Sequence, residues 1–188
     1  MRIILASKSP RRRQLLSEIT ENFEIITAEC DETLPTDVHP KEGVGILAVR
    51  KGAAVCKSVG EEAMIISSDT LVELDGKALG KPKDEDDARK MLRALSGRCH
   101  NVHTGVAVRY KGRVVSGVDS TAVYFKELSE EEIDWYISTN EPMDKAGSYG
   151  IQGLGGRFVT RYEGRYDTVV GLSAELVRRL MNEVSGND

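Results

Sequence analysis

Apolar runs of strand length alternate with segments of helical periodicity along most of the chain, and no other sequence feature restricts the fold as strongly. The first run covers residues 3–6, and Leu15, Leu16 and Ile19 then recur at helical spacing. Strands are further predicted at residues 23–27, 64–67, 71–74, 99–108, 114–125 and 157–162, with a short return strand that ends at residue 79. Helices are predicted at residues 40–59, 84–95 and 173–184, and another begins at residue 129. Strands that alternate with helices and include long hairpins indicate an α/β layer fold around a mixed sheet.

Turn and cap residues support these boundaries. Ser9 suits the N-cap of the first helix, and Pro10 suits its first position, where a missing N–H costs nothing. Asp75-Gly76 predicts a type I′ turn, and Lys111-Gly112 predicts the turn between two long strands. No segment repeats, and no stretch is rich enough in Pro, Gly or Ser to divide the chain. We therefore expect a single domain over residues 1–188.

The charge balance argues against a protein that coats nucleic acid. The chain carries 30 acidic residues against 26 Lys and Arg, a formal net charge of −4. Binding to duplex nucleic acid usually requires a basic surplus that displaces counterions. Any polyanionic partner must therefore be bound locally, and we expect no nucleic-acid polymer as a partner.

The cysteines and the apolar runs bear on the compartment. Cys30, Cys56 and Cys99 form no Cys-x-x-Cys pair and are odd in number, which signals neither a disulfide framework nor a zinc knuckle. No apolar run approaches the roughly 20 residues of a membrane span, and the run at residues 3–6 is too short for a signal peptide. We expect a soluble cytoplasmic protein with no membrane partner.

Residues 7–13, Ser-Lys-Ser-Pro-Arg-Arg-Arg, follow the first predicted strand and open the first helix. Hydroxyls, guanidinium groups and unpaired helix N–H groups at the positive end of the helix dipole together form a phosphate site. The alternative is a capped helix with a solvated basic face. The segment 7–13 is not a Walker loop, since no Gly-Lys-Ser/Thr follows it.

A second candidate is Asp69, in Ser67-Ser68-Asp69-Thr70 at the end of the apolar run 64–67. An acid at the carboxyl end of a strand in an α/β sheet lies where ligands bind, and it could hold a divalent cation or take a proton from water. Asp31-Glu32 could supply further oxygen ligands. The alternative for Asp69 is an Asx-type turn without a chemical role.

Lysine and glycine patterns complete the set of candidates. Lys51 lies on the mostly apolar face of the helix predicted at 40–59, and Lys81 lies between Gly80 and Pro82. The alternative is that both lysine side chains extend their ammonium groups into solvent and bind no ligand. In the glycine-rich segment 146–156, the Gln152 amide offers both a hydrogen-bond donor and an acceptor to the edge of a nucleobase. The alternative is that the segment is only a series of turns.

Several blocks in one order resemble the Maf family of nucleoside triphosphate pyrophosphatases, first described as septum-formation inhibitors. The blocks are Leu5-Ala6-Ser7-Lys8-Ser9-Pro10-Arg11-Arg12, Ser68-Asp69-Thr70, Leu79-Gly80-Lys81-Pro82, Leu95-Ser96-Gly97-Arg98-Cys99-His100 with Thr104-Gly105-Val106, and Glu141-Pro142-Met143-Asp144-Lys145-Ala146-Gly147. The resemblance implies an inosine-triphosphatase-like α/β fold, in which an elongated mixed β-sheet is flanked by helices and two lobes surround a central cleft. It also implies a cytoplasmic enzyme, commonly a homodimer, that needs a divalent metal cation, Mg²⁺ or Mn²⁺.

Within that family, residues 148–153 resemble the subgroup that hydrolyses dTTP and UTP to the monophosphate and pyrophosphate, a hydrolysis of an acid anhydride. The subgroup that prefers 7-methyl-GTP differs at this stretch. By motif position, the resemblance implies that Asp69 is the proton acceptor, that Arg11, Thr70 and Gln152 determine specificity, that Ser7, Arg12, Lys51 and Lys81 bind phosphate, and that Glu32 and Asp69 bind the metal. The chain departs from the family pattern at Gly52, where alanine usually follows the lysine.

Three other functions remain open at this point. A non-catalytic nucleotide-binding regulator of septum formation would need the phosphate site but not Asp69. A pyrophosphatase for another nucleotide, such as 7-methyl-GTP or a modified pyrimidine nucleotide, would keep the chemistry and change the base. An RNA-linked module could use Arg11–Arg13, although the net acidity and the lack of an aromatic-rich basic stripe weigh against it.

Overall fold

The computed structural model describes residues 1–186 and confirms the mixed α/β architecture. Its strands are β1 (Ile3–Leu5), β2 (Glu24–Ile25), β3 (Met64–Leu74), β4 (Lys77–Leu79), β5 (Cys99–Tyr110), β6 (Arg113–Phe125) and β7 (Val159–Glu163). Its α-helices are α1 (Pro10–Ser17), α2 (Pro40–Val59), α3 (Glu85–Leu95), α4 (Glu130–Ser138), α5 (Tyr166–Val170) and α6 (Ala174–Ser185). Short 3₁₀ turns cover Glu141–Asp144, Ala146–Ser148 and Leu154–Phe158.

The strands form one seven-stranded mixed sheet in the order β2-β1-β3-β5-β6-β7, with β4 paired to β3. β1 pairs in parallel with both β2 and β3. The β3–β4 and β6–β7 pairs are antiparallel. At the β3–β4 turn, Asp75 and Gly76 both have positive φ, at 52° and 76°, as a type I′ turn requires.

β3 corrects one prediction. Residues 64–67 and 71–74 are not two strands but parts of one strand of 11 residues, so Asp69 lies inside a strand rather than at its end or in an Asx turn. Two serines in the middle of this strand have their hydroxyls satisfied by backbone carbonyls, so they can remain in it. Ser67 Oγ donates to the Ala48 carbonyl at 2.7 Å, and Ser68 Oγ donates to the Gly171 carbonyl at 2.8 Å.

The chain divides into two compact units. Among the described residues, unit 1 comprises residues 1–69, 104–119 and 171–186, and unit 2 comprises residues 70–103 and 120–170. Three of the four boundaries fall inside β3, β5 and β6, and the fourth follows α5. The prediction of one domain over the whole chain stays a prediction.

In unit 1, β1, β3 and α2 share an apolar core. Ile4 on β1, Val55 on α2 and Ile65 on β3 are buried in one cluster. α1 begins as predicted, since Ser9 Oγ accepts from the backbone N–H of Arg12 and Pro10 is at the start. The bounds predicted for α2 are confirmed, and its N-cap is His39.

In unit 2, α3 and α4 bury apolar side chains against the strands. The core cluster includes Val72, Leu92, Phe125, Ile133, Tyr136 and Phe158. The capping residues agree with the sequence, because Asp84 caps α3 and Ser129 forms a capping box with Glu132 at α4.

The sequence patterns predicted the bounds of two strands inaccurately and missed one helix. The strand predicted at residues 23–27 is limited to Glu24–Ile25, and that predicted at 157–162 begins two residues later, after a 3₁₀ turn. The short helix α5 was not predicted at all. Among the described residues, no helix combines the length and the apolar character that a membrane crossing requires.

Candidate active site

Lys51 and two carboxylates form the centre of the candidate site in unit 1. The Lys51 ammonium lies 2.9 Å from Asp69 Oδ1 and 3.1 Å from Glu32 Oε1. The side chains of Lys51 and Asp69 are only 19% and 13% exposed, whereas that of Glu32 is 61% exposed. A largely desolvated ion pair is therefore in contact with one solvent-accessible acid.

A close approach of α2 to β3 allows Lys51 to reach Asp69 at hydrogen-bond distance. Gly52 faces Ser67 so closely that a Cβ on Gly52 would lie 2.7 Å from Ser67 Oγ. The glycine that departs from the family pattern is thus explained within this chain, because Ser67 occupies the space that an alanine methyl group would need.

The loop that carries Glu32 is held by the residue next to Lys51. Arg50 Nη1 donates to the carbonyl of Thr33 at 2.6 Å and to that of Asp31 at 3.3 Å. Asp31 Oδ1 accepts from the backbone N–H of Thr33 at 2.8 Å, which closes an Asx turn. Of the acidic pair 31–32, the first residue therefore shapes the loop, and the second contacts the lysine.

Arg12 folds back from α1 and is not part of a solvated basic face. Its Nε donates to the Gly171 carbonyl at 2.9 Å, its Nη1 donates to the Ser68 carbonyl at 2.9 Å, and its Nη2 lies 3.8 Å from Asp69 Oδ1. Burial lowers the pKa of Arg12, an effect that Asp69 opposes and the neighbouring Arg11 reinforces. Arg12 therefore presents a cation whose orientation the backbone determines.

Ser7 and Gly171 complete this part of the site. Ser7 is 7% exposed, and its hydroxyl accepts from the backbone N–H of Ser9 at 3.2 Å, with Arg12 Nη1 at 3.5 Å. Gly171 has a φ of 126°, and its carbonyl accepts from both Arg12 and Ser68. Gly171 was not predicted from the sequence, because a backbone carbonyl carries no side-chain signal.

Unit 1 thus brings together Ser7, Arg12, Glu32, Lys51 and Asp69, and Arg11 precedes Arg12 on α1. The other candidates belong to unit 2. Thr70 follows Asp69 on β3 and is half-buried, while Lys81 and Gln152 are exposed on segments after β4 and before β7.

Within unit 2, a backbone hydrogen bond connects the Lys81 segment with the glycine-rich segment that carries Gln152. The N–H of Gly147 donates to the carbonyl of Gly80, next to Lys81, at 3.0 Å. Gly147 and Ser148 have positive φ values of 68° and 60°. For Ser148, which is fully buried, such a φ is unfavourable and is maintained only by the surrounding packing.

The donor set fits a divalent cation in part. Glu32 and Asp69 both direct an oxygen at one position, that of the Lys51 ammonium. Carboxylate oxygens suit Mg²⁺ or Mn²⁺, and Mg²⁺ commonly takes one or two carboxylates and fills its other positions with water and substrate phosphates. Within residues 1–186 there is no group of three or more His, Cys, Asp or Glu arranged for a metal. Glu32 and Asp69 are two carboxylates that meet at the Lys51 ammonium.

Comparisons with known proteins identify the family. A sequence model described as Maf-like protein matches residues 2–184. A dTTP/UTP pyrophosphatase of Bacillus cytotoxicus is 48% identical over 186 residues, which cover 98% of this chain and 97% of that protein. A dTTP/UTP pyrophosphatase of Vibrio cholerae is 49% identical over 171 residues, 91% of each chain. The chain belongs to the Maf family.

A comparison with solved structures concerns the fold alone. The Staphylococcus aureus Ham1 protein aligns with a TM-score of 0.56 at 15% sequence identity, over 100% of both chains. The predicted α/β class with a mixed sheet flanked by helices is confirmed, and the arrangement of two lobes around a cleft stays a prediction.

Proposed function

We propose that this protein is a nucleoside triphosphate pyrophosphatase that hydrolyses dTTP and UTP between the α and β phosphates. One observation carries the proposal: in a member of the Maf family, Asp69 is held against two cations, with Lys51 at 2.9 Å and Arg12 at 3.8 Å. The names of relatives that are nearly half identical over almost the whole chain support the choice of substrate.

Substrate binding must neutralise several negative charges at once. Arg12 suits this role because its guanidinium is oriented by the carbonyls of Ser68 and Gly171 before any phosphate arrives. Ser7, Lys51 and Lys81 are proposed to bind the remaining phosphate oxygens. Such preorganised cations stabilise developing charge without further reorganisation.

Asp69 is the proposed proton acceptor. The oxygen of a water molecule attacks the α-phosphorus and forms a new P–O bond, while its proton passes to the Asp69 carboxylate. The bond between the α-phosphorus and the bridging oxygen breaks, and its electron pair leaves with pyrophosphate. We expect the incoming phosphates to compete with Asp69 for Lys51 and so to release the carboxylate for this step.

Glu32 and Asp69 would hold the divalent cation, Mg²⁺ or Mn²⁺, that the family resemblance implies. When bound, the cation would neutralise phosphate charge and polarise the oxygens it touches. The exposure of Glu32 supports this role, since its carboxylate can turn toward a ligand from solvent.

Gln152, with Arg11 and Thr70, is proposed to select the base. Uracil and thymine present two carbonyls with an N–H between them, and the donor and acceptor of an amide suit that pattern. The methyl group of thymine is worth only about 1–3 kcal/mol in an apolar pocket, so both bases, and modified pyrimidines, could be accepted.

The decisive experiment measures pyrophosphate release from dTTP, UTP, CTP, GTP and 7-methyl-GTP, with Mg²⁺, with Mn²⁺ and after treatment with EDTA. We expect dTTP and UTP to be preferred and EDTA to abolish release. Binding of dTTP without release of pyrophosphate would favour a nucleotide-binding regulator. A preference for 7-methyl-GTP would reject the assignment of the base.

The homodimer and the cytoplasmic location rest on the family resemblance. Sedimentation equilibrium of the purified protein and fractionation of cells that produce it would test them. A monomer at micromolar concentration would contradict the first proposal, and recovery in a membrane or extracellular fraction would contradict the second.

A further inference from the structure

Glu141 directs its carboxylate at the backbone of the loop that carries Gln152. Its Oε2 accepts from the N–H of Leu154 at 2.9 Å, and its Oε1 accepts from the N–H of Gly155 at 3.1 Å. The same Oε1 accepts from the hydroxyl of Tyr136 at 2.8 Å. Two N–H groups just after Gln152 are therefore bound to one carboxylate.

Tyr136 extends this network to the other side of Gln152. Its hydroxyl oxygen accepts from the N–H of Gly150 at 3.2 Å while the hydroxyl donates to Glu141. The loop is thus held two residues before Gln152 and two residues after it. The Gln152 side chain itself is exposed.

Glycines allow the loop backbone to approach this pair. A Cβ on Gly153 would lie 2.3 Å from Glu141 Oε1, and one on Gly155 would lie 2.5 Å from the Tyr136 hydroxyl. Neither position could accept another residue without a shift of the network. Two of the glycines in this segment, Gly153 and Gly155, are therefore explained by close packing against Glu141 and Tyr136.

The supports of the network are themselves fixed. Tyr136 is fully buried and packs edge-on against Phe158, with ring centroids 5.0 Å apart. The ammonium of Lys145 donates to the Glu141 carbonyl at 2.8 Å. Partial burial opposes ionisation of Glu141, but the hydrogen bonds from Leu154, Gly155 and Tyr136 together hold its pKa below the ordinary value.

We propose that Glu141, together with Tyr136, is a positioning residue that determines nucleobase selectivity by fixing the backbone on both sides of Gln152. This inference rests on the proposed function, in which Gln152 reads the base. An amide distinguishes uracil from cytosine only if its donor and acceptor face the correct base atoms, because cytosine carries an amino group where uracil carries a carbonyl. A recognition group must be held to within about 0.5 Å for such discrimination, and an exposed side chain on a glycine-rich loop needs external support to reach that precision.

The test compares kcat/KM for UTP with kcat/KM for CTP. Glu141→Gln keeps the shape of the side chain but replaces one acceptor oxygen with an NH₂ group that faces a backbone N–H. We expect the UTP/CTP ratio to fall by about 10- to 100-fold, since a displacement of about 1 Å can cost that much. Tyr136→Phe removes only the hydroxyl and should lower the ratio by a smaller factor, which keeps the proposal testable if Glu141→Gln does not fold.

Matched variants separate positioning from general damage. Glu130→Gln removes an exposed carboxylate on α4 that pairs with Arg93, and it should leave the ratio unchanged. Val123→Ala weakens the core of unit 2 without removing a hydrogen bond to the loop, and it should lower stability but not the ratio. If Glu141→Gln lowers activity equally on UTP and CTP, the positioning role is overturned.

Gln152→Ala distinguishes failure of this inference from failure of the proposed function. If Gln152→Ala leaves the UTP/CTP ratio unchanged, base reading by Gln152 is wrong, and the positioning proposal falls with it. If Gln152→Ala lowers the UTP/CTP ratio but neither Glu141→Gln nor Tyr136→Phe lowers it, only the positioning proposal is wrong. If both proposals hold, Glu141→Gln should lower the ratio no further in the Gln152→Ala background.

Discussion

The Lys51 ammonium forms a hydrogen-bonded ion pair with Asp69 Oδ1 at 2.9 Å, across 18 positions of sequence and between α2 and β3. Both side chains are largely withdrawn from solvent. Removing one partner of such a pair leaves the other charge incompletely compensated. The same contact therefore bears on stability and on the proposed chemistry.

Lys51→Met should lower the free energy of unfolding by about 1–3 kcal/mol, because Asp69 would lose its closer cation and keep Arg12 at the longer distance. Urea denaturation of the wild type and the variant measures the loss. In the Asp69→Asn background the same lysine substitution should cost less, since no carboxylate remains to be paired. Equal losses in both backgrounds would show that the ion pair does not contribute to stability.

Asp69→Asn should reduce pyrophosphate release from dTTP by at least about 100-fold, since an amide cannot accept the proton from water. Its circular dichroism spectrum should match that of the wild type. Asp37→Asn, in an exposed loop of unit 1, is the control and should retain full activity. A folded Asp69→Asn protein with wild-type release would remove Asp69 from the mechanism.

Gly52→Ala should lower stability by about 1–3 kcal/mol, because the new methyl group would overlap Ser67 Oγ. Ser67→Ala removes that oxygen and leaves a Cβ at 3.5 Å, an ordinary contact distance. In the Ser67→Ala background, Gly52→Ala should therefore be neutral or stabilising, because alanine favours a helix over glycine by about 1 kcal/mol. A similar loss of stability in both backgrounds would contradict the proposed overlap with Ser67 Oγ.

His100 should make stability depend on pH. It is 2% exposed, its Nε2 lies 2.8 Å from the Tyr149 hydroxyl, and burial lowers its pKa from 6.5 to about 4. When the pH falls below 6.5, the pKa of this histidine in the unfolded chain, the unfolded chain binds a proton that the folded protein binds only near pH 4. The folded state therefore loses stability between about pH 6.5 and pH 4. At neutral pH, His100 contributes about 3 kcal/mol to the free energy of unfolding through this difference in pKa.

Urea denaturation between pH 7.5 and pH 4.5 measures this dependence. His100→Gln should be less stable than the wild type at neutral pH, because the packing is altered, but its stability should change less as the pH falls. An identical pH profile for the two proteins would assign the acid sensitivity to other groups.

Local signals predicted the elements that depend on neighbouring residues. Ser9 and Pro10 place the start of α1, Pro40 opens α2 at the predicted residue, and Asp75-Gly76 forms the predicted turn. Each depends on backbone conformation or capping within a few residues, which the sequence displays directly.

Predictions failed where a distant group satisfied a polar residue. Ser67 and Ser68 suggested the end of a strand, but carbonyls of Ala48 and Gly171 accept from their hydroxyls and keep β3 continuous. The short helix α5 has no strong periodicity and was missed for a related reason, because a single turn of helix depends on its surroundings.

The sequence by itself determined the family, the order of most strands and helices, and a set of candidate residues. Only the tertiary structure decided that Lys51 meets both Glu32 and Asp69, that Arg12 turns back to Gly171, and that Glu141 supports the loop around Gln152. The physical reason is that these contacts join groups far apart in the chain, several of them backbone atoms that every residue carries. Their partners are defined by packing and desolvation, which no local pattern records.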